Sequence, residues 1–179
     1  LQSYMLRTTP YIDKSHIQTL QTTPDYTVID AFSGAGGVGK ALSEQPISLP
    51  ADEYAGLDIT DYSHTYPGEF VQIDLLSDKP FSAFMTSGTH PRYTARVAWC
   101  SFPCTAYSTL TRLNYSDADN PTQAALDDNP RITDELRAAL LQIAPQYVIE
   151  NVPRATAVGD LQANARLNGL AFDLSIDME

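Results

Sequence analysis

The sequence predicts a doubly wound α/β fold with a mostly parallel sheet in a single domain, and two observations lead there. Five short apolar, β-branched runs are each bounded by turn residues: 27–33 (TVIDAFS), 54–59 (YAGLDI), 70–76 (FVQIDLL), 96–102 (RVAWCSF) and 147–152 (YVIENV). They are apolar on both faces, as strands buried beneath helices on each side of a sheet must be. Stretches of helical character separate the runs, and strands alternating with helices build a parallel sheet.

Taken in order, residues 1–26 form an N-terminal extension ahead of the first run. A glycine-rich loop, 33–40 (SGAGGVGK), follows that run and opens a helix. The clearest helix lies over 132–144, where Ile132, Leu136, Ala139, Leu140 and Ile143 fall near a 3.6-residue spacing and Thr133 can cap the start. Segment 105–131 is polar, rich in Asn, Asp and Pro, and follows a strand directly. It is expected to be a long loop at the carboxyl edge of the sheet, the edge where such folds keep their sites.

A chain of 179 residues with 43% apolar content suits one buried core, and no internal repeat or long linker divides it. No run of eighteen apolar residues exists, and the start, LQSYMLRTTPYIDK, lacks the basic and apolar regions of a signal peptide. The expectation is a soluble cytoplasmic protein with no membrane partner. Cys100 and Cys104 are too few for a disulfide framework, and with His16, His64 and His90 scattered they form no zinc-ligand pattern. No metal is expected, and one of the cysteines is a candidate nucleophile.

Net charge is −11, with 16 Asp against 6 Glu and only three lysines. Such a surface repels a polyanion, whereas nucleic-acid affinity comes largely from Lys and Arg. High salt relaxes that repulsion, because the Debye length falls to about 3 Å at 1 M. A salt-rich environment is therefore one reading of the Asp excess; a moderately acidic cytosolic protein whose basic partner surface lies elsewhere is the other.

The glycine loop admits two ligand classes. Gly34 to Lys40 fits G-x-x-x-x-G-K of a phosphate-binding loop, but Ala41 stands where a Ser or Thr hydroxyl would hold Mg²⁺. A nucleoside ligand suits the surroundings better. Asp58 lies near the end of the second run, 24 residues past Gly34, close to the spacing of a ribose-gripping acid in a Rossmann-like fold, and Asp74 lies near the end of the third. Carboxylates there suit ribose hydroxyls and an adenine amine and oppose a triphosphate. A glycine turn without any ligand is the plainer alternative.

At the end of the fourth run, Ser101-Phe102-Pro103-Cys104 places Cys104 on a loop at the same edge as Asp58 and Asp74. A buried apolar thiol is the commoner fate of cysteine, and Cys100, inside VAWC, fits that fate better. Glu150 sits in YVIENVPR, an apolar strand ahead of a proline, where burial would equip it as a proton donor or hydrogen-bonding acid.

Together these segments, in this order, resemble the cytosine-5 DNA methyltransferases. DAFSGAGGVG resembles that family's first motif, LDI its second and VQIDLLS its third; SFPCTAYS resembles the Pro-Cys motif and IENVPR the Glu-Asn-Val motif. The similarity is greatest to compact methylases of bacteriophage type, associated with restriction and modification, and it spans residues 27 to about 152. The resemblance implies a Rossmann-like methyltransferase fold, S-adenosyl-L-methionine as cofactor and DNA as partner. It places Phe32 against adenine, Ser33, Gly34 and Gly37 along the methionine moiety, Asp58 on the ribose and Asp74 on the adenine amine. Ile59, Leu75 and Pro103 complete the cofactor side, and Phe102 and Asn151 lie on the substrate side. Cys104 becomes the nucleophile and Glu150 the acid that holds a flipped cytosine. A related branch acts on tRNA with the same Cys and Glu, so the resemblance leaves RNA open as the substrate.

Three departures qualify this reading. Thr105 replaces the glutamine that commonly follows the nucleophile, and Asp58 stands where a longer Glu is usual. The sequence stops at Glu179, with 164–179 resembling the approach to the family's arginine motif and with no target-recognition region. The expectation is a truncated chain or one subunit of a split enzyme that needs a second segment for target choice. A catalytically silent cofactor-binding subunit and a P-loop ATPase are the rivals.

Overall fold

A computed structural model describes residues 26–76 and 95–165. Residues 1–25 of the expected N-terminal extension 1–26, the Ser77 end of VQIDLLS and residues 166–179 of the arginine-motif approach lie outside them, whereas Tyr26, the last residue of that extension, opens the first strand.

All five expected strands form: β1 (Tyr26–Ala31), β2 (Tyr54–Asp58), β3 (Glu69–Gln72), β4 (Ala95–Ser101) and β5 (Gln146–Glu150). They make one sheet in the order β3-β2-β1-β4-β5, and every neighbouring pair is parallel. The order runs outward in both directions from β1 and β4, so a topological switch point lies between them, where ligands of such sheets bind beyond the strand carboxyl ends. The central strands carry the burial: Ile29, Ala31, Ala55, Leu57, Ala98 and Cys100 are fully covered. The edge strands are less enclosed than expected. Every second residue of β5 is exposed, Val148 among them at 40%. An apolar run cannot by itself tell a central strand from an edge strand, and the expectation of strands covered on both faces fails at β3 and β5.

Five α-helices accompany the sheet among the described residues: α1 (Gly37–Ser43), α2 (Thr109–Leu113), α3 (Pro121–Asp128), α4 (Asp134–Ile143) and α5 (Pro153–Ala157). Thr133 caps α4, its side chain accepting the Leu136 N–H at 3.3 Å, and Asp134 and Glu135 complement the dipole of the first turn. Leu140 and Ile143 face the sheet fully buried, each contributing about 1.5–3 kcal/mol by burial.

Segment 105–131 is not the continuous loop the composition suggested, since it contains α2 and α3. Each is started by a side-chain cap. The Ser108 hydroxyl accepts the Leu110 N–H, and Asn120 Oδ1 accepts the Gln123 N–H with Pro121 in the first turn.

Candidate functional site

The carboxyl ends of four strands converge on one cleft. Its volume is about 230 Å³, and it is lined by Phe32 beyond β1, Asp58 and Ile59 at the end of β2, Ile73 to Leu76 beyond β3, and Ser101 and Pro103 at the end of β4. Six of the residues expected on the cofactor side, Phe32, Asp58, Ile59, Asp74, Leu75 and Pro103, therefore meet there. Ser101, Ile73 and Leu76 join them without having been anticipated; only their nearness in sequence to Pro103 and Asp74 could have signalled it.

The turn out of β1 is conformationally costly. Phe32 holds φ at 58°, a left-handed value that costs a non-glycine residue on the order of 1–3 kcal/mol and is concentrated at functional turns. The Phe102 ring meets Phe32 edge to face, with centroids 5.3 Å apart and planes at 71°. This contact joins the loops after β1 and β4 across the switch point. Phe102 itself is buried, so its ring supports the cleft rather than lining it.

The glycine loop is tied to β2 by Asp58. Its Oδ2 accepts the Gly34 N–H at 2.9 Å and its Oδ1 accepts the Thr60 N–H at 2.9 Å. One lone pair on each oxygen remains for a ligand hydroxyl. Asp74 Oδ1 accepts the Leu76 N–H at 2.9 Å in a similar turn. Ser33 is buried, and its Oγ makes no hydrogen bond. Such a buried orphan is costly unless a ligand completes it. A side chain at Gly34 or Gly37 would meet nothing within 4 Å, so this face of the loop is open. Lys40 lies apart from the cleft, exposed, with Nζ 4.0 Å from Oε1 of Glu44, the residue that caps the end of the same helix.

Gly39 and Gly56 serve a different purpose. A Cβ on either would come within 2.7 Å and 2.6 Å, respectively, of the Tyr66 ring. The two glycines form the slot that lets Tyr66 reach β1, where its hydroxyl donates to Asp30 Oδ2 at 3.3 Å. Asp30 is completely buried and its Oδ1 has no partner. Burial, opposed by the Tyr66 hydrogen bond and reinforced by the Asp58 charge, raises its pKa to about 7. In the sequence Asp30 is one residue of the strand run TVIDAFS, and nothing in that run reveals that a tyrosine 36 residues away will cover it.

The two cysteines separate as expected. Cys100 is buried in β4, and burial with the nearby Asp30 and Glu150 charges pushes its thiol up to about 12, which keeps it protonated and inert. Cys104 is exposed on the turn after β4, where its carbonyl accepts the Tyr107 and Ser108 N–H groups at 2.9 and 2.8 Å. Glu150 corrects the expectation of burial: as the last residue of an edge strand it is exposed. It pairs in register with Ser101, three residues before Cys104, so the thiol and the carboxylate leave adjacent strands at the same edge. Asn151 uses its side chain internally, Nδ2 donating to the Phe102 carbonyl at 2.8 Å and Oδ1 accepting the Val152 N–H at 2.9 Å.

Among the described residues, no group of three or more His, Cys, Asp or Glu is placed to hold a metal ion, and no helix is long and apolar enough to cross a membrane. A scan of protein-family models and searches of curated proteins and of solved structures return no match to this chain.

Proposed function

We propose that this chain is the catalytic domain of an S-adenosyl-L-methionine-dependent cytosine-5 methyltransferase acting on DNA. One observation carries the reading: a parallel sheet of order 3-2-1-4-5 gathers Phe32, Asp58, Asp74 and Pro103 around one cleft and sends Cys104 and Glu150 from neighbouring strands to the same edge. The orphaned Ser33 hydroxyl and the open faces of Gly34 and Gly37 fit an extended polar ligand passing over the loop. In this reading Asp58 accepts from the ribose hydroxyls, Asp74 from the adenine amine, and Phe32 packs against the base. The cleft, smaller than the roughly 300–1,000 Å³ of pockets for drug-sized ligands, suits the nucleoside portion.

The bound cofactor supplies an electrophilic methyl group. Cytosine C5 is a poor nucleophile, and the residues of this chain are suited to correct that. The Cys104 thiolate adds to C6 of a base flipped out of its stack, forming a C–S bond and pushing the ring electrons toward C5. Glu150 hydrogen-bonds the ring N3 and the exocyclic amine, stabilising charge as C6 is attacked. After methyl transfer the C5 proton passes to water, its bonding pair re-forms the C5=C6 bond, and the C6–S bond breaks to release the Cys104 thiolate. The reading gives Asn151 and Phe102 supporting parts: they set the spacing of the two loops and the ring beneath the cleft.

The test is covalent trapping. A 5-fluorocytosine oligonucleotide cannot release the C5 substituent, so with cofactor present it should form a denaturation-resistant adduct with the wild-type chain and none with Cys104→Ser. An adduct that persists in Cys104→Ser would remove Cys104 from the mechanism.

A further inference from the structure

The segment after β5 folds back onto the segment after β4, and besides the Asn151–Phe102 and Arg154–Thr122 hydrogen bonds one carboxylate, Asp160, gathers several contacts at the junction. Helix α5 ends at Ala157 with Val158 as its cap, and Gly159, at a φ of 87°, makes the left-handed reversal that closes helices. The Asp160 and Leu161 N–H groups then both return to the Ala155 carbonyl at 3.1 Å, fixing where Asp160 projects. Its Oδ2 accepts the Tyr107 hydroxyl at 2.9 Å and Arg131 Nε at 2.8 Å, and its Oδ1 accepts Arg131 Nη2 at 2.6 Å. Arg137 donates to the Asp160 backbone carbonyl.

The Tyr107 hydroxyl is used twice, also accepting the Ile132 N–H at 2.7 Å just ahead of α4. Tyr107 is 1% exposed, and its own N–H holds the Cys104 carbonyl. An unbroken series of hydrogen bonds thus runs from Asp160 through Tyr107 to the turn that carries Cys104. At its other end, ten residues along the chain, stands Glu150. The side chain of Asp160 is 11% exposed and that of Arg131 38%, so the pair is partly shielded from water, where charge-assisted, two-pronged bonds are stronger and more directional.

We propose that Asp160 is a positioning residue for Cys104: through Tyr107 and Arg131 it locks the Cys104–Ser108 turn to the segment that follows Glu150, so that thiol and carboxylate are presented together. The lock itself stands on the contacts above; its use in methyl transfer rests on the function proposed for Cys104.

Amide hydrogen exchange on the full chain tests it, with Asp160→Asn and Tyr107→Phe as variants that preserve shape. Losing one hydrogen bond to a charged group is expected to speed local opening by about tenfold or more. Exchange at the Tyr107 and Ser108 amides should therefore accelerate by at least about tenfold beyond any change in β1 amides, which report global unfolding. In the trapping assay both variants should form the Cys104 adduct more slowly, with the affinity for S-adenosylhomocysteine unchanged. Equal acceleration throughout the sheet, or none at Tyr107 and Ser108, would overturn the lock. Absence of an adduct with the wild-type chain would instead count against the methyltransferase reading, and the exchange pattern would still decide the lock.

Discussion

Asn151 donates its side-chain amide to the carbonyl of Phe102 across 2.8 Å, and this bond ties the loop after β5 to the loop after β4. Its two partners flank the candidate reactive groups in sequence, Asn151 one residue past Glu150 and Phe102 two before Cys104. The Phe102 ring in turn packs on Phe32, so the tie extends to the glycine loop. A short series of contacts thus links the loops that carry thiol, carboxylate and cleft, through two residues that the resemblance places on the substrate, Asn151 and Phe102, and one that it places on the cofactor, Phe32.

Asn151→Ala should separate these roles. Removing the amide leaves the Phe102 carbonyl without its partner, a loss of about 1–3 kcal/mol measurable as a lower denaturation midpoint. Adduct formation at Cys104 should slow while S-adenosylhomocysteine affinity holds. A variant with unaltered stability and weakened cofactor binding would refute this assignment.

The glycines of the loop should divide into two classes. Gly39→Ala puts a methyl group 2.7 Å from the Tyr66 ring and should destabilise the fold by about 1–3 kcal/mol through overpacking. Gly37→Ala meets nothing within 4 Å in the protein, so thermal unfolding should barely change. Its methyl group points into the open face, and titration should show weaker S-adenosylhomocysteine binding. The reverse pattern would mean that the ligand face of the loop has been misplaced.

Asp30 should give the stability profile a distinctive slope. Its folded pKa of about 7 lies above the ordinary aspartate value of 3.8 because burial disfavours the charge. Between those values the folded chain holds a proton that the unfolded chain has lost, so stability falls as pH rises from about 4 to about 7 and then levels off. Asp160 acts oppositely. Its hydrogen bonds to Arg131 hold its carboxyl below the ordinary range, so its contribution is present above about pH 4 and fades in stronger acid. Denaturant titrations of Asp30→Asn should lose the slope between pH 4 and 7 and show a gain on the order of 2–4 kcal/mol at pH 8. Matching slopes in the two proteins would show that Asp30 does not titrate there.

A net charge of −11 carried chiefly by aspartate should make the fold sensitive to salt. Unfolding midpoints are expected to climb with KCl toward molar concentration, as screening shortens to about 3 Å. A flat profile would discard salt adaptation as the source of the composition.

Much of the fold was legible because its five strands are short β-branched runs with turn residues at both ends, and α4 because Leu136, Leu140 and Ile143 keep a helical spacing behind a threonine cap. Helices α2 and α3 were hidden by their brevity: five and eight residues are too few for a periodic apolar stripe. Their caps, Ser108 and the Asn120-Pro121 pair, were the available signals. Cleft residues such as Asp58 and Asp74 could be found because position at a strand's carboxyl end is a local property. The exposure of Glu150 could not, since it follows from β5 being an edge strand. Nor could the lock at Asp160, whose partners lie 53 and 29 residues away, be seen before the chain was folded.

The most direct test of the central claim, that the carboxyl-edge cleft takes a nucleoside cofactor, is calorimetric titration of the full chain at high salt. S-adenosylhomocysteine and Mg·ATP are titrated in parallel. The account predicts saturable S-adenosylhomocysteine binding that weakens in Asp58→Ala, with no heat from Mg·ATP. Binding of Mg·ATP alone, through the glycine loop and Lys40, would contradict it.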